Sequence, residues 1–168
     1  MTPEEAYLFH QTPVELARQL ITTLTLSPTD RLYEPFKGEG AFFDSFPAEN
    51  PKDWSEIKFQ RDYKDYTGEY DWVITNPPFR LDNETGRVNA FWKLLDYYTD
   101  RAKKGVAFLA NDCCLGTLTP KRLAHLAEKG WGVQKLVVCS VKKWRGRYFF
   151  IVLEKKPSPF YHHLITNF

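Results

Sequence analysis

The chain has 168 residues, 43 % of them hydrophobic and 16 % aromatic, enough length for one domain and too much apolar content for disorder as the main state. No apolar run approaches the ~18 residues of a membrane span, the N-terminus MTPEEAYLFH lacks the basic-then-apolar pattern of a signal peptide, and Cys113, Cys114 and Cys139 show no CxxC spacing. A formal net charge of +2 hides a division: residues 1–100 carry 18 acids and 10 bases, whereas residues 101–168 carry 3 acids and 13 bases. These features predict a cytosolic or nuclear chain that is not secreted, with reduced cysteines packed near strands. The basic C-terminal part prompts the search for a polyanionic partner.

In chain order, TPVELARQLITTL (12–24) places Val14, Leu16, Ala17, Leu20, Ile21 and Leu24 at helical spacing, with Thr12 as the expected N-cap and Pro13 in the first turn. RLYEP predicts a short strand ended by Pro35, FKGEG a tight glycine turn, and AFFDSF a short helix. Residues 47–54 read as a loop, SEIKF as a second strand and RDYKDY as a polar turn. EYDWVITN predicts a buried strand stopped by Pro77 and Pro78, which lack the amide hydrogens a ladder needs.

After a polar loop, RLDNETGRV, a helix is expected over 89–102, with Phe91, Leu94, Leu95 and Tyr98 on one face. GVAFLAN predicts an apolar strand and PKRLAHLAEKG a helix closed by Gly130. VQKLVVCSV and RYFFIVLEK, separated by the basic turn KKWRGR, predict a final antiparallel hairpin. Alternating strands and helices imply an open, mostly parallel α/β sheet, which binds ligands beyond the carboxyl ends of its strands. Both Gly38–Gly40 and Asn76–Phe79 fall at such ends.

The loop Glu34-Pro35-Phe36-Lys37-Gly38-Glu39-Gly40 lets backbone approach a ligand closely. Phe43 stands where a dinucleotide fingerprint wants its third glycine, and no GK[ST] follows, so a small nucleoside cofactor without a pyrophosphate fits better than NAD or ATP. An ordinary strand-to-helix turn has the same look. Glu56 can accept from both ribose hydroxyls, and Asp62 from an adenine amino group; a surface acid and a turn-capping aspartate are the plainer alternatives.

Asn76-Pro77-Pro78-Phe79 carries the most chemistry. Adjacent prolines hold the chain extended, so the Asn76 amide oxygen and the Pro77 carbonyl can both accept from one planar NH2 group. Such an amine is a poor nucleophile because its lone pair is delocalised into the ring. Two acceptors that favour pyramidal nitrogen concentrate the lone pair toward an electrophile. Phe79 offers a face for a planar base.

In that order, QTPVELARQLI, LYEPFKGEGAFF and DWVITNPPF resemble the cofactor and catalytic motifs of class I S-adenosylmethionine-dependent methyltransferases of the amino, N6-adenine, type. The resemblance spans residues 10–80 by motif and reaches about 155 by strand pattern. It implies one Rossmann-like catalytic domain over 1–168, a seven-stranded sheet with a reversed final hairpin, and S-adenosyl-L-methionine as methyl donor. It places Gln11, Thr12 and Pro13 at the donor's methionine end, with Glu34, Pro35, Phe36, Gly38, Gly40 and Phe42 lining the donor. Glu56 would hold the ribose, and Asp62 with Tyr63 the adenine; Asn76, Pro77, Pro78 and Phe79 would hold the target amine.

The departures are Glu34 where Asp is commoner, Lys37 within the glycine loop, a compressed stretch from Gly40 to Asn76, and no target-recognition domain. The compression predicts a shortened or missing element. The absent domain leaves recognition to a partner subunit, a homodimer or a minimal motif, with Arg80, Arg87, Lys142, Lys143, Trp144, Arg145 and Arg147 as the candidate DNA contacts. RNA adenine and a protein glutamine pose the same chemical problem as DNA adenine, although glutamine-modifying relatives usually show Tyr where this chain has Phe79. A silent nucleic-acid-binding subunit is the non-enzymatic alternative. No cysteine follows a proline as cytosine-C5 methylation requires, and His162-His163 has no metal-ligand spacing.

Overall fold

The computed structural model describes residues 10–81 and 90–160, together with Thr2 and Glu5. Its elements are α1 (Val14–Thr22), β1 (Leu32–Glu34), β2 (Lys52–Trp54), β3 (Trp72–Thr75), α2 (Ala90–Thr99), β4 (Gly105–Asn111), α3 (Asp112–Leu115), α4 (Pro120–Glu128), β5 (Gly132–Cys139) and β6 (Tyr148–Glu154). The strands form one sheet in the order β2-β1-β3-β4-β6-β5. The first four strands pair in parallel, and β6 runs antiparallel to both β4 and β5.

Strand pleating sends alternate side chains to opposite faces, and the burial follows it. Leu32, Trp72, Ile74, Ala107 and Leu109 pack with Ala17, Leu20 and Ile21 of α1 on one face. Tyr33, Val73, Val106 and Phe108 pack with Phe91, Leu94, Leu95 and Tyr98 of α2 and Leu126 of α4 on the other. Burial on both faces explains why WVIT and GVAFLAN read as continuous apolar runs.

Register also imposes a steric demand. Gly105 sits directly beside Trp72 in the ladder, and a Cβ there would lie 2.2 Å from the indole ring. Gly105→Ala is therefore expected to cost about 1–3 kcal/mol by overpacking, seen as a lowered denaturation midpoint at constant m-value. An unshifted midpoint would contradict the packing.

Four expectations need correction. The described residues form six strands rather than seven; the compressed stretch between the glycine loop and β3 holds one short strand, β2, and no α-helix. That strand is Lys52–Trp54, inside the segment read as loop, and it pairs with Leu32–Glu34. As a half-exposed edge strand it has no apolar pattern to announce it. SEIKF is not a strand: Glu56 bridges to Arg61, its carboxylate caps a 3-10 turn over Ile57–Phe59, and Gln60 at φ 57° folds the chain back. Finally, Pro13 rather than Thr12 occupies the N-cap of α1, extended at φ −61° and ψ 133°, and the Thr12 hydroxyl accepts from Asn76 instead of capping the helix. The short helix α3, capped by the Asn111 side chain, was not anticipated.

The sheet order places the topological switch at β1, whose neighbours are β2 on one side and β3 on the other. The chain leaves β1 into the glycine loop and β3 into NPPF, so the two motifs open onto the same crevice.

Candidate active site

A cavity of about 530 Å3 occupies that crevice. Of the residues singled out from sequence, Gln11, Thr12, Glu34, Pro35, Phe36, Gly38, Phe42, Glu56, Asp62, Tyr63, Asn76, Pro77, Pro78, Phe79, Arg80 and Trp144 line it. Pro13 and Gly40 do not: Pro13 starts α1, and Gly40 at φ 92° shapes the turn behind the wall. Lys142, Lys143, Arg145 and Arg147 lie exposed on the β5–β6 turn around buried Trp144. Arg87 and His162-His163 lie outside the described residues.

The glycine loop forms one wall. Gly38 takes φ 53°, and a Cβ on it would meet Gln11 Oε1 at 2.5 Å. That same oxygen accepts a hydrogen bond from Glu39 N at 3.0 Å, while Glu56 Oε2 accepts from Gly38 N at 2.8 Å. A side chain at position 38 would therefore strike the Gln11 amide, which is held in place by the loop it closes.

Glu34 lies at the floor, 2 % exposed, with Oε2 accepting from Phe43 N at 2.7 Å. Burial pushes its carboxyl well above the usual carboxylate range, only partly opposed by the Phe43 amide and the Lys37 charge. Glu34 makes no ion pair among the described residues. Such a carboxylate suits a cationic ligand, which would supply the missing counter-charge.

Asp62 serves the turn-capping role weighed against it, Glu56 is a half-buried turn cap rather than a surface acid, and both line the cavity as well. Glu56 Oε1 accepts from Lys58 N and Asp62 Oδ1 from Lys64 N, each capping a 3-10 turn. Phe36 and Tyr63 pack together with ring centroids 5.0 Å apart and provide an aromatic corner beside them.

On the opposite wall, Asn76 Nδ2 donates to Thr12 Oγ1 at 3.2 Å and to the His10 carbonyl at 3.4 Å. Asn76 Oδ1 receives no hydrogen bond among the described residues. Phe79 is 42 % exposed and meets His10 edge-on at 5.6 Å. The β5–β6 turn reaches the same cavity through Trp144 and Tyr148, whose ring centroids are 4.6 Å apart. The basic turn thereby borders the same cavity as the NPPF wall.

Sequence reasoning missed Tyr148, His10, Ile57, Lys64, Ala41 and Leu81 as lining residues. Tyr148 reads as the first residue of an apolar strand; only its place four residues after Trp144, across a tight turn, could have drawn attention to it. Lys37, a departure within the glycine loop, also lines the cavity, with its Nζ 4.8 Å from the Trp54 ring centroid.

No protein-family model matches this sequence, and no curated protein matches it by sequence. Solved structures do share the fold. A Listeria monocytogenes protein described as a class I S-adenosylmethionine-dependent methyltransferase superposes with TM-score 0.64 at 14 % identity, over 88 % of this chain and 62 % of its own. A modification subunit from Vibrio vulnificus, described as part of a type I restriction enzyme, gives 0.63 at 13 % identity, over 88 % of this chain and 45 % of its own. One chain of the E. cuniculi Mtq2–Trm112 complex, described as responsible for methylating the termination factor eRF1, gives 0.60 at 15 % identity, over 88 % of this chain and 99 % of its own. The architecture is the Rossmann-like fold of class I methyltransferases, and the chain spans about three-fifths of the Listeria protein's length. Among the described residues, no helix is long and apolar enough to cross a membrane.

Proposed function

We propose that the protein is an S-adenosylmethionine-dependent methyltransferase acting on the exocyclic N6 amine of adenine in DNA. The observation that supports this most is the shared cavity: the glycine loop with buried Glu34 forms one wall and the NPPF loop, with Asn76 Oδ1 unengaged, forms another. The donor supplies an electrophilic methyl group on a sulfonium when bound. Glu34 would face its positive groups, Glu56 would accept from the ribose, and Asp62 with Tyr63 would take the adenine end. Gln11 keeps the glycine loop closed over the methionine end.

On the acceptor side, Asn76 Oδ1 and the Pro77 carbonyl accept from the two N–H bonds of the target amine, favouring pyramidal nitrogen with its lone pair aimed at the methyl group. Transfer to this nitrogen would leave the donor's sulfur as a neutral thioether, and the surplus proton of the amine would pass to solvent. The work of the site is orientation and desolvation more than base catalysis. Phe79 stacks on the base, with Trp144 and Tyr148 bounding the pocket where an extruded base enters.

The basic turn holds the phosphates, and a partner subunit or second copy supplies further recognition. Replacing Lys142, Lys143 and Arg145 together with Ala should weaken DNA binding and lower its log–log salt slope by about 2–3, with cofactor affinity unchanged. An unchanged slope would remove the turn from the interface. The function itself is tested by incubating the protein with methyl-labelled S-adenosylmethionine and DNA, RNA or a release factor. Label on DNA adenine is expected; label only on RNA or on a glutamine would redirect the substrate, and no transfer would defeat the reading.

A further inference from the structure

We infer that Thr12 is a positioning residue for the transfer: its hydroxyl, with the His10 carbonyl, fixes the flip state of the Asn76 side-chain amide. The inference rests on the methyl-transfer reading above, in which Asn76 Oδ1 receives the target amine.

A carboxamide is nearly symmetric in shape, and only its partners decide which end is oxygen. The His10 carbonyl can accept but not donate, so the end of Asn76 that approaches it is the NH2 group. Thr12 Oγ1 accepts from the same Nδ2 at the shorter distance of 3.2 Å and in the better shielded position. Both donors are thereby drawn to one side, and Oδ1 is left as the unengaged end. In the flipped state an NH2 group would face the substrate's own NH2 group, donor against donor, and one of the two acceptors would be lost.

The residues that do this form a strap. Gln11, between His10 and Thr12, accepts from Glu39 N in the glycine loop. One three-residue segment thus contacts the donor wall through Gln11 and the catalytic amide through its neighbours on either side. The resemblance assigns Thr12 to the cofactor; the observed bond gives it a role through Asn76. Thr12 does not cap α1, whose N-cap is Pro13 without a side-chain cap bond.

The test uses Thr12→Val, which keeps the shape and removes the hydroxyl, and Thr12→Ser, which restores it. With the active protein, Thr12→Val is expected to lower kcat about tenfold with cofactor Kd and substrate KM within about twofold, and Thr12→Ser to recover most of the loss. In nitrogen-15 NMR, the Asn76 amide proton donated to Thr12 should be shifted and exchange-protected in the wild type and in Thr12→Ser and lose both properties in Thr12→Val, whereas the proton facing the His10 carbonyl should change little. Unchanged kcat in Thr12→Val overturns the inference, as does a cofactor Kd that weakens as much as kcat falls, which would mark a direct cofactor contact. If the wild type transfers no methyl group to any amine, the methyl-transfer reading fails. The NMR comparison then judges the amide orientation alone, and identical Asn76 resonances in Thr12→Val refute it.

Discussion

Asn76→Ala is expected to lower kcat by about 10²- to 10³-fold while leaving cofactor affinity within a few-fold of the wild type. The side chain closes the cavity wall opposite the glycine loop, and its NH2 group is already committed to Thr12 and His10. In the proposed reaction, what alanine removes is the acceptor that shapes the target nitrogen as it attacks. An interaction made mainly in the transition state appears in kcat rather than in KM or cofactor binding. Asn76→Asp is the informative companion: it keeps an acceptor toward the amine but replaces the donor toward the His10 carbonyl with an oxygen, so intermediate activity is expected. Unchanged turnover in Asn76→Ala, measured under saturating cofactor and substrate, would remove this residue from the chemistry.

The second large effect belongs to the glycine loop. Gly38→Asp should weaken cofactor binding by about 10²-fold or more, because three penalties coincide there. The position has φ 53°, which costs a residue with Cβ about 1–2 kcal/mol. The new Cβ falls 2.5 Å from Gln11 Oε1, forcing that side chain off the Glu39 amide. The added carboxylate then stands beside Glu56, whose Oε2 accepts from Gly38 N. Gly40→Asp makes the contrast. Its Cβ would meet the Asp44 carboxylate at 2.9 Å, away from the cavity lining, so it should lower thermal stability more than it lowers cofactor affinity in the protein that remains folded. Calorimetric titration with S-adenosylmethionine, paired with thermal melting, separates the two; equal affinity for wild type and Gly38→Asp would contradict the assignment of this wall.

The elements most legible in the sequence are those whose residues face two apolar layers. WVIT and GVAFLAN announce themselves because both faces are buried, and the final hairpin because a basic turn separates two apolar runs. The meeting of the two loops at one cavity was legible for a related reason. Glycines at the end of β1 and prolines at the end of β3 are backbone devices, and a parallel sheet brings the ends of neighbouring strands together. The edge strand Lys52–Trp54 was not legible: half-exposed, it is held by main-chain pairing to β1 and carries no pattern of its own. Nor was the link between Thr12 and Asn76, a bond across 64 residues that no local spacing encodes. Helix-capping rules assigned Thr12 to its own helix, where a threonine before a proline belongs by default. Tertiary contact claimed it instead.

The charge division also takes on structure. The acidic front supplies the cavity residues Glu34, Glu56 and Asp62, and the basic turn joins that cavity through Trp144 and Tyr148. Near-neutral net charge is thus compatible with a cationic donor and a polyanionic acceptor meeting at one crevice.

The central claim is that donor and acceptor amine meet inside this cavity. The most direct measurement is a co-crystal structure with a bisubstrate analogue in which a S-adenosylmethionine-like moiety is tethered to the N6 atom of adenine. The account predicts the donor half along Glu34, Gly38 and Glu56, N6 within about 3 Å of both Asn76 Oδ1 and the Pro77 carbonyl, and the base against Phe79. An analogue seated with N6 away from the NPPF wall, or bound outside the crevice between β1 and β3, would contradict it.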